Sequence, residues 1–412
     1  MALGLTVLWF WVYAPRVGDG FCDEPGHLGI MRHFHEGRPG WPDTLPHPPG
    51  YHYVVLWLTP GAPTPMGART VTLLFALGLF TAFGAAWRRL HGAPAGPAVL
   101  LLALLPIMQP FTAMIYTDVP ALALVFGAWW AQLSRRGWLA GLLLAAACLI
   151  RQTSVLWGSF FLLRELWLAW RADSSRPLWP RFLAAVFETC RQSGGLIVVH
   201  ILVATVILVT GRLTPGTQHG NALQPNLATL HFGAVLLALL GLPLWLTQLR
   251  AATATLVRNA RQRPVFVTLG ALAFGALIPI LAHYYRNPHI WNQELWWDNP
   301  PFTLLRNWPL IYADRLPILR WLWSVLAVVL ILTLMHTAGR ERFRDELFMV
   351  SIFSVVLLAT NGLVEPRYFI TPAAFWLFFR QFNARQWRVL VIWFGVLCVA
   401  HAPFIARKLS LW

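Results

Sequence analysis

Apolar residues run along this chain in long blocks. Blocks at 1–14, 67–87, 97–115, 119–134, 137–150, 153–170, 193–211, 230–249, 264–283, 317–336, 347–362, 367–380 and 387–404 are candidate membrane spans, since a spanning helix needs about 20 apolar residues. The piece 51–60 is too short and is bounded by Pro48, Pro49, Pro60 and Pro63, so it is predicted to be an interfacial or re-entrant helix. No internal repeat, low-complexity tract or heptad pattern is present. The expected fold class is therefore all-α: a polytopic transmembrane helical protein with about 12–14 membrane helices. It is expected to form a single integral membrane domain over 1–412, with external loops at 15–66, carrying interfacial helices, and at 284–316.

Composition agrees, with 57% hydrophobic and only 12% charged residues. A globular chain could not hide that much apolar surface from water. The 23 tryptophans suit bilayer interfaces. Residues 1–14 have neither a basic n-region nor a small-residue cleavage site and are expected to remain as a first span. The four cysteines, Cys22, Cys148, Cys190 and Cys398, are scattered and indicate neither a disulfide framework nor a zinc site.

The formal charge of +16 does not indicate a nucleic-acid partner, because the basic residues punctuate apolar runs instead of lining one face. If 51–60 does not cross, alternate connections carry the arginines. These are Arg88 and Arg89; Arg135 and Arg136; Arg171 to Arg191; Arg250 to Arg263; Arg340 to Arg344; and Arg380 to Arg388. That is the distribution of positive charge kept on the cytoplasmic side. The opposite segments, 15–50, 116–120, 151–153, 212–229, 284–316 and 361–368, hold ten of the sixteen carboxylates and six of the thirteen histidines. A transport pathway would spread ionisable groups through the bilayer depth; here they gather at one interface.

Four polar clusters on that face carry candidate chemistry. Asp23 and Glu24, in Phe21-Cys22-Asp23-Glu24-Pro25-Gly26-His27, open a stretch expected to be helical to about Gly37. Either carboxylate is placed to act as a general base on a hydroxyl, or to cap the helix. Asp118, in Tyr116-Thr117-Asp118-Val119-Pro120, starts a span, where N-capping is the alternative to a functional role. Arg151, in Arg151-Gln152-Thr153, has no acid near it in sequence. A guanidinium at membrane depth needs an anion, either a phosphate or one of the external carboxylates. Glu365-Pro366-Arg367-Tyr368 repeats the combination of acid and arginine at the same face.

The loop from His283 through Arg286 to Asp298 is rich in aromatic and amide side chains, suited to a glycan cleft or to a lipid-interface belt. His219, His231, His283 and His289 do not have metal-ligand spacing, and His231-Phe232 is expected to anchor a span at the interface. No metal and no cofactor is expected. A weaker option is an acidic metal site from Asp19, Asp23 and Glu24.

Taken in order, these fragments resemble a known family. Asp23-Glu24-x-x-His27, Tyr116-Thr117-Asp118, Arg151-Gln152-Thr153, Leu230-His231-Phe232, Glu365-Pro366-Arg367-Tyr368-Phe369 and the terminal Trp412 together resemble the eukaryotic dolichyl-phosphate-glucose-dependent α-1,2-glucosyltransferases. These add the terminal glucose of the lipid-linked N-glycan precursor. The resemblance implies a GT-C architecture and an inverting hexose transfer from a polyprenyl-phosphate sugar to a lipid-linked or related glycan acceptor. It implies that Asp23, Glu24 and His27 form the first-loop acidic motif. It also assigns Asp118, Arg151, Gln152, Glu365, Arg367 and Tyr368 to substrate binding. Arg286 joins them through the aromatic loop. The chain departs from the family in following Asp23-Glu24 with Pro25-Gly26 instead of an apolar residue and an aromatic. Its single lysine, Lys408, and its lack of any Asn-x-Ser/Thr acceptor point to a bacterial relative. The site would then face the periplasm across the inner membrane; in a eukaryote it would face the endoplasmic reticulum lumen. The alternatives are a transporter or flippase of lipid-linked glycans, and a GT-C enzyme with another sugar donor.

Overall fold

The computed structural model describes the chain except for residues 17, 19, 21–22, 41, 43–46, 176, 212–225, 227, 284, 286–307, 339–341, 360–362 and 407–412. Arg286, Asp19, Trp412, His219, His289 and most of loop 284–316 therefore lie outside the described residues. The described residues are helical with no strand. They fall into two compact units, Met1–Ala222 and Leu223–Trp412.

The first unit contains α1 (Ala2–Tyr13), α2 (Glu24–His35), α3 (Gly50–Leu58), α4 (Pro65–His91), α5 (Gly96–Ala103), α6 (Asp118–Leu133), α7 (Gly137–Ile150), α8 (Val155–Ala172) and α9 (Leu178–Thr210). α4 shows how its ends are written locally. The Thr64 hydroxyl caps the Gly67 N–H at 3.1 Å, Pro65 follows, and Gly92 closes the helix at φ 65°. α4 packs on α6, α6 on α7, and both α7 and α8 on α9. α7 and α9 approach so closely that only glycine fits. A Cβ at Gly137 would stand 2.1 Å from the Gln192 carbonyl oxygen, and one at Gly141 would stand 2.4 Å from the Gly195 carbonyl carbon. Small residues of this kind let helix backbones meet where lipid removes the hydrophobic drive to associate.

Block 97–115 is not one helix. α5 ends at Ala103, and the chain continues to Thr117 in turns, with a 3-10 segment at Gln109–Thr112, almost entirely buried. Pro106 and Pro110 explain the break, since each removes an amide donor and blocks helix continuation. Irregular backbone is tolerated at membrane depth only where protein surrounds it. One connection expected as a loop is largely helical instead: α9 begins at Leu178 and bends at Ser193, where φ and ψ leave the helical region, and takes in Arg181 and Arg191.

The second unit contains α10 (Ala228–Gln262), α11 (Pro264–His283), α12 (Trp308–Arg315), α13 (Pro317–Ala338), α14 (Arg344–Ala359), α15 (Ile370–Phe379) and α16 (Ala384–Ala406). α10 continues through Arg250, Arg258 and Arg261, where the expectation had a loop. Ala234 on α10, Leu281 on α11 and Ala327 with Val328 on α13 form its core.

Among the described residues, five segments are long and apolar enough to cross a membrane: Pro65–His91, Leu178–Thr210, Ala228–Trp245, Pro264–His283 and Ala384–Pro403. Ala2–Tyr13, Gly137–Ile150 and Pro317–Leu330 are apolar but shorter. Large side chains such as Phe266, Leu269 and Leu272 point outward from α11. An exposed apolar surface of this extent requires lipid as its solvent. The all-α polytopic membrane architecture follows.

Candidate functional site

In the first unit the starts of α2, α3, α4 and α6 and the end of α7 share one end of the helix packing. Leu28, Met31, Tyr51, Val55, Ala68, Ile115 and Ile150 form a common buried cluster there. The first turn of α3 lies directly on the last turn of α7, so that a Cβ at Gly50 would come within 2.6 Å of the Leu149 carbonyl oxygen. Residues far apart in sequence are thereby fixed together.

Asp23 is the N-cap of α2, half-buried, and its backbone N–H donates to the Tyr116 hydroxyl at 3.2 Å. Glu24, next in sequence, has a different environment. Its carboxylate is fully buried and accepts from Arg69 twice, Nε at 2.9 Å and Nη2 at 2.7 Å, and from the Ile115 N–H at 2.9 Å. Arg69 in turn donates to the Ala14 and Gly18 carbonyls at 2.8 and 2.9 Å. One buried ion pair thus joins α1's end, α2, α4 and the irregular segment before α6.

His27 lies one turn into α2. Its Nδ1 is 3.0 Å from Nε2 of His52 on α3, and both rings are buried. One nitrogen of this contact must carry the proton and the other must accept it. Burial, then the neighbouring His27, hold His52 well below the ordinary histidine range, so His52 is the neutral partner. Tyr51 beside it bonds Thr72 Oγ1 at 2.7 Å, and burial drives its phenol upward in pKa.

Asp118 and Arg151 form an ion pair, Nη1 to Oδ1, at 2.5 Å, with 6% and 14% of their side chains exposed. Of the two anions open to Arg151, a phosphate or a carboxylate, the carboxylate of Asp118 pairs with it. Gln152 is buried in the short 3-10 turn that follows Arg151.

In the second unit Glu365 and Arg367 are ion-paired, and the Arg367 guanidinium lies 5.5 Å from the Tyr368 ring centre. The 3-10 turn Pro366–Phe369 is held against α10, where a Cβ at Gly233 would be 2.8 Å from Phe369. His231 is not an interfacial anchor: it is buried, with Nε2 2.9 Å from Ser324 Oγ and its ring edge-on to Tyr285.

Three site residues were missed by sequence reasoning. Arg69 is a single arginine beside the external boundary, the same signal that singled out Arg151, and it carried no partner within reach along the chain. Tyr116 lay inside a quoted motif, and its role through the Asp23 amide is visible only in three dimensions. His52 gave no local signal.

A helical membrane protein with carboxylates, arginines and aromatic residues held at helix starts is built to work on polar substrates at a lipid boundary. The chain belongs to the DIE2/ALG10 family, whose model matches residues 17–380. This is the family of dolichyl-phosphate-glucose α-1,2-glucosyltransferases, so the protein is a glycosyltransferase of lipid-linked oligosaccharide synthesis, with a sugar donor and a lipid-linked glycan acceptor. No curated protein and no solved structure matches the chain.

Proposed function

We propose that the protein moves glucose from a polyprenyl-phosphate glucose to a hydroxyl of a lipid-linked oligosaccharide, forming an α-1,2 bond with inversion. The acceptor oxygen attacks the anomeric carbon, the bond from that carbon to the phosphate oxygen breaks, and polyprenyl phosphate leaves. Inversion to an α product requires a β-linked donor. Asp23 takes the hydroxyl proton, as a general base.

The observation that carries this assignment is the division of labour between adjacent carboxylates. Glu24 is locked by Arg69 and the Ile115 amide, whereas Asp23 is half-buried at the mouth of α2 with its backbone positioned by Tyr116. Glu24 then anchors the loop and Asp23 performs the chemistry. Arg151, oriented by Asp118, serves the phosphate, whose charge grows as the leaving group departs. Gln152, which follows Arg151, and His27, one turn after Asp23, belong to the same substrate region of the first unit. The arginine-rich alternate connections support a site facing the periplasm of a bacterial cell, or the endoplasmic reticulum lumen of a eukaryotic one.

Incubating purified protein with a panel of polyprenyl-phosphate sugars tests this function. Consumption of the glucosyl donor alone is the expected result, and preferential consumption of a mannosyl or arabinosyl donor contradicts it.

A further inference from the structure

A second polar feature lies at the other end of α6 and α7. These helices are 16 and 14 residues long, so it stands about 20 Å from Asp118 and Arg151. There a cleft of about 410 Å³ is lined by Arg135, Gly137, Trp138, Arg191, Gln192 and Gly194, a volume in the range of small-ligand sites. Its shape is set by the backbone. Gly137 and Gly141 bring α7 onto α9, the bend at Ser193 turns the first half of α9 aside, and a buried bond of 2.8 Å from Gln132 to Ser193 fixes that bend. Arg135 itself sits at φ 60°, a left-handed conformation uncommon outside glycine.

The lining is cationic and interfacial. Arg135 and Arg191 expose 62% and 65% of their side chains. Their acid partners are Glu165 at 3.4 Å and Glu188 at 2.6 Å. Glu165 is buried while Arg135 is mostly exposed, and their contact is long, whereas the two-bond Arg191–Glu188 pair lies in solvent, where screening weakens it; both guanidinium groups therefore still offer donors to an anion arriving at the surface. Arg135, Arg136, Arg164 and Arg191 outnumber Glu165 and Glu188 by four to two. The N-terminus of α7 opens at the cleft and adds its positive dipole end. Beside these cations are two exposed aromatic side chains, Trp138 and Phe187, the latter one turn before Arg191 on the same helical face. A guanidinium pair next to exposed rings is the chemistry of the headgroup level.

The geometry points to a binding site for the phosphate of an anionic phospholipid, held between Arg135 and Arg191, with its acyl chain along Trp138 and Phe187. The site is separate from the sugar-transfer cluster and does not depend on the mechanism proposed for it.

The full chain in nanodiscs of phosphatidylcholine, with or without phosphatidylglycerol, provides the test. Wild type is expected to retain phosphatidylglycerol on release into native mass spectrometry and to melt higher in the doped discs. Arg135→Asn with Arg191→Gln should lose the melting shift and about tenfold of the retention; asparagine is chosen because it tolerates the left-handed backbone. Arg258→Gln, exposed on α10, should change neither. Equal retention by the double variant overturns the site, and a matching shift from inorganic phosphate in neutral discs overturns its assignment to a lipid. If the double variant does not fold, photo-crosslinking of wild type with a headgroup-labelled phosphatidylglycerol decides: labels within 130–140 and 185–195 support the site, and labels confined elsewhere overturn it.

Discussion

Glu24 and Arg69 meet as two parallel hydrogen bonds of 2.9 and 2.7 Å, with both side chains closed off from solvent. They stand 45 residues apart, and the pair ties the first turn of α2 to the long helix α4. A buried pair of this kind adds little net stability compared with apolar residues of the same volume, but losing one partner strands a charge. Arg69→Met is therefore expected to cost about 3–5 kcal/mol, and Glu24→Met a similar amount, while the double replacement costs less than their sum. Unfolding in detergent by denaturant titration measures all three. Additive losses would show that the two side chains are not coupled.

Arg151 and Asp118 form another largely buried pair at the same end of this unit. Arg151→Ala should raise the KM for the sugar donor by roughly tenfold or more, equivalent to about 1.4 kcal/mol. Arg151→Lys should restore little of it, because an ammonium lacks the planar fork. Steady-state kinetics over a donor series checks this. Full recovery with lysine would mean that charge alone suffices.

His52 gives the fold a pH dependence. Its folded pKa lies below its unfolded value of about 6.5, so the unfolded chain binds the proton more readily. Its contribution is complete above about pH 6.5 and declines as pH falls from there toward the lower folded value. The slope from this one group is at most about 1.4 kcal/mol per pH unit. Melting of wild type and His52→Gln at pH 7.5 and 5.5 should show a smaller acid loss in the variant. Identical losses would remove His52 as the source.

Gly141 faces the α9 backbone with no room for a side chain. Gly141→Leu is expected to destabilise by about 1–3 kcal/mol, as overpacking of a closed contact does. Gly270, with open space around its Cβ position, should accept the same replacement with little change. Thermal inactivation of both variants side by side is the measurement.

The start of α2 could be read at Asp23 because the N-cap acid and Pro25 are local signals, and the prolines around 51–60 bound α3 for the same reason. Hydropathy was a poorer guide to the interior of block 97–115. It sums side-chain polarity and is blind to the missing amides of Pro106 and Pro110, so a buried irregular segment looked like a span. It also started α9 too late and ended α10 too early, since helices that leave the hydrocarbon carry arginines without ceasing to be helical. In the site, the lone Arg151 was visible, but its partner Asp118 is 33 residues away. The partner of Glu24 is similarly distant. Such pairings are set by tertiary packing, and no local pattern encodes Arg69 as the partner of Glu24.

The roles of Asp23 and Glu24 are separated most directly by single-turnover glucose transfer in proteoliposomes with Asp23→Asn, alongside a titration of donor binding. Transfer should fall by about 10²–10⁴-fold while the protein still melts as wild type and still binds the donor. Wild-type transfer by that variant would contradict the assignment of Asp23 as the base.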